Sequence, residues 1–220
     1  MLKADLHLHT DSSPDSLITP AKLVARCLDR GINCLAVADH NSIDGALAVQ
    51  SIALFPVIVA EEVKTSQGEI IGLFLKEAIS PGLSPEETVR RIKEQGGLVC
   101  LPHPFDRARR EPLRSAARES ILSEIDIVEA FNSRTTFAGD NAQARRFAEA
   151  NGLAMSAGSD AHSLWEVGST HVEMAEFETP QEFLDALRQG KIVGRRSVPL
   201  VHLVSTWARL RRRGRARQGR

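Results

Sequence analysis

Aspartate and histidine alternate near the start of the chain, in the run Asp5-Leu6-His7-Leu8-His9. In a β-strand, successive side chains point to opposite faces, so this spacing predicts Asp5, His7 and His9 on one face and the leucines on the other. Three polar groups buried together are costly unless something binds them, and a cation does so. Neutral imidazoles two residues apart can both contact one metal ion. The run therefore predicts a metal site, with an exposed edge strand as the alternative.

Further carboxylates and histidines follow apolar segments, each where a buried strand would end. They are Asp39 and His40, the pair Glu61-Glu62, His103 between two prolines, and Asp160 with His162. The carboxyl ends of parallel strands are where α/β folds place their chemistry, so these side chains are candidates for one shared site. Together with His7, His9 and Asp15 they exceed the ligands of a single catalytic zinc ion, which predicts two or three ions. Multinuclear sites suit phosphoryl chemistry.

Several of these residues have a simpler explanation when each is taken alone. Asp15 lies six residues beyond His9, in a turn-like segment where an aspartate commonly binds its own backbone. Asp39 could orient an imidazole or begin the next helix. The pair Glu61-Glu62 could lie on the surface, and Glu69 needs a partner if it points inward. Two further histidines belong to no cluster and are predicted to be structural or surface residues: His171 and His202.

Strand-like and helix-like segments alternate along the chain. The apolar strand candidates are Leu2–Leu8, Cys34–Ala38, Pro56–Val63, Ile70–Leu75, Leu98–Leu101, Ile125–Phe131, Leu153–Ala157 and Thr170–Met174. The helix start signals between them are Thr19-Pro20, Ser84-Pro85, Asp140 or Asn141, and Thr179-Pro180. Strands separated by helices predict a largely parallel sheet. Since no GxGxxG or P-loop marks a nucleotide crevice, a small distorted barrel is favoured over an open sheet.

The composition is that of a globular protein. The 220 residues are 42% hydrophobic and 25% charged, which excludes a disordered or fibrous chain. No apolar stretch approaches the roughly 18 residues of a membrane span, and Asp5 and His7 stand where a signal peptide needs apolar residues. Cys27, Cys34 and Cys100 cannot all pair, so no disulfide scaffold is expected. We therefore expect a reduced, cytoplasmic protein.

The zero net charge conceals an asymmetry. Lys and Arg together number 28, as do Asp and Glu, but no acidic residue follows Asp185 and seven arginines lie in residues 206–220. Residues 1–205 therefore carry 21 basic against 28 acidic residues, or about −7. We predict a single domain over residues 1–200 and a basic, disordered tail over residues 206–220.

Four short motifs, in this order, resemble the PHP (polymerase and histidinol phosphatase) family of metal-dependent phosphoesterases. They are Asp5-Leu6-His7-Leu8-His9-Thr10, Ala38-Asp39-His40-Asn41, Pro102-His103-Pro104 and Gly158-Ser159-Asp160-Ala161-His162, and the similarity covers about residues 1–200. The resemblance implies an α/β fold, a distorted seven-stranded barrel with a trinuclear site at the carboxyl ends of its strands. It implies metal-ligand roles for His7, His9, Asp15, His40, Glu62, His103, Asp160 and His162.

Two positions depart from the family pattern. In Ala60-Glu61-Glu62-Val63 the family's Gly-x-Glu-hydrophobic pattern places the bridging carboxylate at Glu62, although Ala60 replaces the usual glycine. Many members have a histidine where this chain has Glu69, in Glu69-Ile70-Ile71-Gly72. Glu69 could ligate through oxygen and favour harder ions such as Mn²⁺, or it could leave the third metal position weak or empty.

The expected activity is hydrolysis of a phosphate ester by metal-activated hydroxide at a di- or trinuclear site. The ions would be two or three of Mn, Zn or Fe, with Mg as an alternative, and no organic cofactor is expected. The leaving-group acid would come from His40, His103 or His162. Asn132 would line the pocket. Four cationic residues just beyond strands would bind phosphate, unless they are solvated loop charges: Lys64, Arg107, Arg109 and Arg134.

The expected substrate is a nucleotide or a short oligonucleotide, and neither a membrane nor an obligatory protein partner is expected. A histidinol-phosphate-type phosphomonoesterase is one alternative. A metal-dependent C–N hydrolase is a second, because such barrels also begin with HxH and carry a late aspartate. A third alternative is a non-catalytic, metal-stabilised domain whose arginine tail binds nucleic acid.

Overall fold

A computed structural model describes residues 1–109, 112–198 and 207–208. The strands are β1 (Leu2–Leu8), β2 (Cys34–His40), β3 (Val57–Thr65), β4 (Gly68–Leu73), β5 (Leu98–Leu101), β6 (Ile127–Asn132), β7 (Ala154–Gly158), β8 (Thr170–Met174) and β9 (Lys191–Gly194). The α-helices are α1 (Pro20–Arg30), α2 (Asp44–Gln50), α3 (Pro85–Glu94), α4 (Ser115–Ser120), α5 (Ala138–Asn151) and α6 (Pro180–Arg188). A 3₁₀ turn covers Leu122–Glu124. Except for residues 207–208, the predicted basic tail lies outside the described residues.

The strands form one sheet in the order β7-β6-β5-β4-β3-β2-β1-β8-β9. The pairs β1–β2, β2–β3, β5–β6 and β6–β7 are parallel, and the pairs involving β4, β8 or β9 are antiparallel. Just beyond β7, the chain returns to β1: the Asp160 N–H donates to the His7 carbonyl at 2.7 Å, and the His9 N–H donates to the Ala161 carbonyl at 3.0 Å. The sheet is thereby closed into a barrel-like α/β fold.

The predicted barrel class is confirmed, although the sheet formed by the described residues has nine strands rather than the predicted seven. Strands β1 to β7 make the barrel-like circuit, and β8 and β9 extend the sheet beyond β1. β9 reads Lys-Ile-Val-Gly and is at most half-buried, so it lacks the apolar run that predicts the inner strands.

Each face of the sheet has its own apolar core. On one face, α1, α2 and α3 pack against strand residues such as Val37 and Val59, as parallel α/β architecture requires. On the inner face, Ala36, Ile58 and other strand residues pack against α6, whose Phe183 is fully buried. Helix α6 thus fills the inner face at the end of the barrel where β1 begins, beside Leu2.

Helix boundaries follow the local signals at three of the four predicted starts. α1 begins at Pro20 and ends at Gly31, whose φ of 67° is left-handed and suits glycine. Ser84 accepts the Glu87 N–H at the start of α3, and Thr179 accepts the Glu182 N–H at the start of α6, both at 3.2 Å.

The remaining predicted helix, α5, begins earlier than predicted. It starts at Ala138 rather than at Asp140 or Asn141. Both polar side chains are buried inside the first turn and serve other groups: Asp140 accepts from Arg107, and Asn141 pairs with the Asn132 backbone. They resemble capping residues in sequence because both uses need the same short polar side chain.

A bulge in β1 overturns the predicted alternation of the first motif. The register passes from Asp5 opposite Leu35 to Leu8 opposite Val37, so β1 holds one extra residue. Leu6 therefore lies in the inner core and Leu8 in the helix-facing core, not on one face. Asp5 turns away from the two histidines and accepts the N–H groups of Ser159 and Gly168.

Among the described residues, no helix combines the length and the apolar content that crossing a membrane requires.

Candidate metal centre

The side chains predicted as metal ligands converge at the carboxyl end of the barrel strands. Glu62, on β3, lies at the middle of the cluster and is fully buried. Its Oε2 lies 3.4 Å from His7 Nε2, 3.5 Å from His9 Nε2 and 3.3 Å from His40 Nδ1. Its Oε1 lies 3.0 Å from His103 Nε2. A single carboxylate thus contacts four histidines from three different segments, which suits it to bridge cations.

Two aspartates extend the centre beyond Glu62. Asp160 Oδ1 lies 3.3 Å from His9 Nε2 and 3.9 Å from His7 Nε2. Asp15 Oδ2 lies 3.2 Å from His162 Nε2 and 3.5 Å from His40 Nε2. The ligand atoms therefore divide into neighbouring groups, such as His7-His9-Glu62 and His9-His40-His162, and each group could hold an ion.

Glu69, which replaces the histidine of many family members, also reaches the centre. Its carboxylate lies 3.7 Å from His40 Nδ1 and 3.9 Å from His103 Nε2. With His40 and Glu62 it forms a further group that could hold a cation. The structure brings Glu69 into the cluster by the antiparallel pairing of β4 with β3.

The donor atoms at the middle of the cluster fit a divalent cation. His7 Nε2, His9 Nε2, Glu62 Oε2 and Asp160 Oδ1 are buried and have no hydrogen-bond partner among the described residues. Each such orphaned atom costs about 1–3 kcal/mol. A cation between them would satisfy all four, and a set of imidazole nitrogens and carboxylate oxygens suits Zn, Mn or Fe.

The electrostatics prepare these groups to act as ligands. Burial lowers the pKa of His9 to about 3, with His162 contributing, so the His9 ring is neutral at pH 7 and offers a lone pair. Burial would raise the pKa of Glu62 and of Asp160. The positive charges of His7 and His40 beside Glu62, and of Arg109 and His7 beside Asp160, outweigh burial and hold both pKa values well below their usual range. Both carboxylates are therefore ionised, as cation ligands must be.

Glu129 supports the centre and was missed by the sequence analysis. It is buried on β6 and lies 3.0 Å from His7 Nδ1, which turns the other ring nitrogen toward Glu62. It also accepts the His103 N–H at 2.7 Å and the Asn132 amide at 3.0 Å. Its sequence signal is an acidic residue inside the apolar segment Val128-Glu129-Ala130.

A second support links Asp39 to His9 through Ser13. The Ser13 hydroxyl donates to Asp39 at 2.7 Å and lies 3.1 Å from His9 Nδ1. Asp39 also accepts the backbone N–H and the hydroxyl of Thr10. Asp39 therefore orients the His9 imidazole indirectly, through Ser13, which is one of its two predicted roles. It does not begin α2, which was the other.

Backbone strain is concentrated at the same end of the barrel. Non-glycine residues with positive φ include Asn41 at 54°, His103 at 29° and Asp160 at 52°. Such conformations cost on the order of 1 kcal/mol or more and persist where the surroundings enforce them. Gly158 has a different constraint, since a Cβ there would lie 2.4 Å from the His7 Cβ. The backbone is thus shaped to bring these side chains together.

Of the residues predicted to contact substrate, Asn132, Arg109 and Arg134 reach Asp160. The Asn132 amide donates to Asp160 Oδ2 at 3.1 Å, and Arg109 pairs with the same carboxylate. Arg134 donates to the Asp160 carbonyl at 3.4 Å and lies 3.5 Å from Glu166. Arg134 is buried, whereas the Arg109 side chain is 20% exposed.

Arg107 and Lys64 lie farther from the ligand atoms. Arg107 is bound to Asp140 at 2.9 Å, and its guanidinium lies 5.0 Å from the centre of the Phe137 ring. Lys64 is exposed on β3, where it pairs in register with Glu69. The structure therefore does not bring either cation to Asp160, and their predicted roles stay predictions.

The fold and the buried cluster together define an α/β barrel with a histidine–carboxylate centre suited to divalent cations. Matches to two family models are more specific: the PHP domain model covers residues 5–96, and the PHP-associated model covers residues 138–192. The first match contains the candidate ligands from His7 to Glu69, and the second contains Asp160 and His162. The chain belongs to the PHP family and has its metal-dependent phosphoesterase fold.

Related proteins agree with this assignment. An uncharacterized protein of Methanocaldococcus jannaschii is 38% identical over 200 residues, which are 85% of this chain and 79% of that protein. A two-domain protein of Bacteroides vulgatus, described as containing a predicted PHP-like metal-dependent phosphoesterase, superposes with a TM-score of 0.73 at 17% identity, over 88% of this chain and 65% of that chain. Endonuclease Q, in complex with a 27-mer duplex substrate with an abasic lesion, superposes with a TM-score of 0.65 at 15% identity. The superposition covers 90% of this chain and 60% of endonuclease Q.

Proposed function

We propose that the protein is a metal-dependent phosphoesterase that hydrolyses the phosphate ester of a nucleotide or a short oligonucleotide. The observation that carries the proposal is the position of Glu62, whose two oxygens contact four histidines from three segments, with Asp15 and Asp160 beyond them. This arrangement offers neighbouring positions for more than one divalent ion. Bound ions would supply Lewis acidity toward phosphate oxygens and lower the pKa of water.

The three histidines proposed as catalytic differ in their exposure. The His40 side chain is 15% exposed, against 5% for His162 and 0% for His103. His162 Nδ1 lies 2.8 Å from the Asp160 carbonyl, which fixes its tautomer and directs Nε2 toward Asp15 as a ligand nitrogen. Of the three, His40 is therefore the one that a bound ester could contact, and we assign it the proton for the leaving oxygen in place of a metal-ligand role.

Arg109 is the cation best placed to bind the phosphate. Its partly exposed guanidinium already pairs with an anionic oxygen of Asp160, so a phosphate oxygen beside the centre could take the same partner. Asn132 and Arg134 are positioning residues in this proposal, because they hold the side chain and the carbonyl of Asp160. The nucleic-acid substrate of endonuclease Q, which has the same fold, supports a nucleotide-containing ester.

The test is hydrolysis by the full chain with Mn²⁺, before and after chelation. Release of phosphate is measured for thymidine 5′-monophosphate and histidinol phosphate, and release of nitrophenol for a p-nitrophenyl phosphodiester. We expect release that chelation abolishes and that returning Mn²⁺ restores, while His7→Ala stays inactive. Undiminished release by the metal-stripped protein would contradict the proposal. Hydrolysis of amides without phosphate release would assign the protein to the C–N hydrolases, and binding of nucleic acid with no hydrolysis would make it a binding module.

A further inference from the structure

We infer that a groove beside the metal centre binds unpaired nucleotides next to the scissile phosphate, which makes a single-stranded oligonucleotide the substrate rather than a mononucleotide. The inference rests on the proposed phosphoesterase function and names its substrate class. The groove lies between α1 and the loop after β7, has a volume of about 460 Å³, and is called the Trp165 groove below. It is lined by Lys22, Ala25, Arg26, Asp29, Leu164 and Trp165.

Trp165 supplies the surface for a nucleobase. Its side chain is 84% exposed, although an indole is among the groups that gain most from burial. Leu164 and Ala25 line the groove next to it, so the indole borders an apolar surface rather than open solvent on all sides. Exposed aromatic rings of this kind are the platforms on which unpaired bases stack, whatever their sequence.

Two cations on α1 supply contacts for the phosphates. Lys22 and Arg26 are four residues apart, so they lie on the same face of the helix, about 5–6 Å apart at Cβ. Asp29 is the one acidic residue in the lining, which leaves the groove with a net positive charge. A cationic groove with an aromatic platform is complementary to a single nucleic-acid strand, and an acidic peptide would lack the base that stacks.

The groove is connected rigidly to the metal centre. Trp165 follows His162 by three residues, which span at most about 10 Å of extended chain. Glu166 accepts the backbone N–H groups of His162 and Ser163 at 3.2 and 3.0 Å, and Arg26 donates to the Leu164 carbonyl at 2.9 Å. The groove therefore borders the segment that carries His162, within reach of a strand whose phosphate lies at the centre.

The test uses the emission of Trp165 itself. The chain has two tryptophans, so Trp207→Phe leaves Trp165 as the sole reporter in the full, Mn²⁺-loaded protein. The probes are hexathymidylate with phosphorothioate linkages, which slow cleavage, thymidine 5′-monophosphate, and polyglutamate of matched charge. We expect the hexanucleotide to quench the emission at a concentration at least tenfold lower than the mononucleotide, and polyglutamate to leave it unchanged.

Variants separate stacking from charge. Trp165→Ala should weaken binding of fluorescein-labelled hexathymidylate about five- to 150-fold by anisotropy. Lys22→Ala should reduce the slope of log affinity against log salt by about 0.7, while Lys76→Ala, which removes an exposed lysine elsewhere, should leave the slope unchanged.

Three results would overturn the inference: no quenching by the hexanucleotide, equal potency of the mononucleotide, or equal quenching by polyglutamate. Its failure is distinct from failure of the proposed function. Release of phosphate from esters without a change in Trp165 emission would contradict the role of the groove and support the phosphoesterase function. Quenching by the hexanucleotide with no hydrolysis of any ester would contradict the phosphoesterase function and support nucleotide binding in the groove.

Discussion

The inner face of the barrel has two ends with opposite chemistry. At one end Leu2 and Met174 pack against Phe183 of α6 in an apolar core. At the other end, strands of the same sheet present His7, Glu62 and other polar side chains, which are buried although no apolar core surrounds them. Along β3 the inward side chains change from Ile58 and Ala60 to Glu62 within five residues. Burial of apolar side chains therefore stabilises the fold at one end of the sheet. Burial of charged side chains destabilises it at the other end, where the charges are held close together.

The largest expected effect separates the two ends by activity. Glu62→Gln keeps the shape of the side chain but removes the charge that contacts four histidines from three segments. We expect phosphate release to fall by at least about 10³-fold, as for loss of a group central to catalysis. Thermal unfolding of the metal-free protein should shift to lower temperature, because the buried cations that hold the Glu62 pKa low would lose their anionic partner. Retained activity in Glu62→Gln would contradict the role of this carboxylate.

The converse change is made at the apolar end. Phe183 is fully buried, so Phe183→Ala should lower the free energy of unfolding by about 3–5 kcal/mol in a urea titration. Affinity for Mn²⁺, measured well below the unfolding transition, should stay within a factor of two or three. A tenfold loss of metal affinity would show that the two ends are coupled.

Neighbouring glutamates on β3 sharpen the comparison through pH. Burial raises the pKa of Glu61 to about 7, although its carboxylate accepts the Ile79 N–H at 2.8 Å. Because this folded pKa exceeds the usual value of 4.5, the stability that Glu61 contributes is full below about pH 4.5 and is lost as the pH rises through about 7.

Glu61→Gln should therefore raise the free energy of unfolding at pH 8 by up to about 3 kcal/mol and leave it nearly unchanged at pH 4.5. Urea titrations of both proteins in chelator, which removes any contribution of metal binding, would measure the difference. An equal effect at both pH values would show that Glu61 is ionised throughout.

The smallest expected effect concerns the support of a ligand rather than the ligand itself. Glu129→Gln keeps a hydrogen-bonding group beside His7 Nδ1 but removes its charge. Affinity for Mn²⁺ should fall about 10- to 100-fold by isothermal titration, with kcat at saturating metal reduced less. Glu124→Gln, on the short 3₁₀ turn, is the matched control and should leave the affinity unchanged.

Much of the fold could be predicted because its signals are local. The strands β1, β5 and β8 have the predicted bounds, and Thr19, Ser84 and Thr179 precede helices as predicted. Apolar runs and start signals act within a few residues, so neighbouring sequence is enough. The start of α5 was predicted wrongly because Asp140 binds Arg107, 33 positions away, and Asn141 binds the Asn132 backbone, nine positions away, so neither side chain caps the helix.

The sequence by itself determined which side chains are available at the barrel end, since HxH, the histidines after strands and Asp160 are all visible in it. Only the tertiary structure decided how they are arranged. The bulge that separates Asp5 from His7 depends on pairing with β2 and on the chain after β7. The contact between His7 and Glu129 joins residues 122 positions apart. Such contacts arise from barrel closure, which brings together segments whose local sequences carry no information about one another.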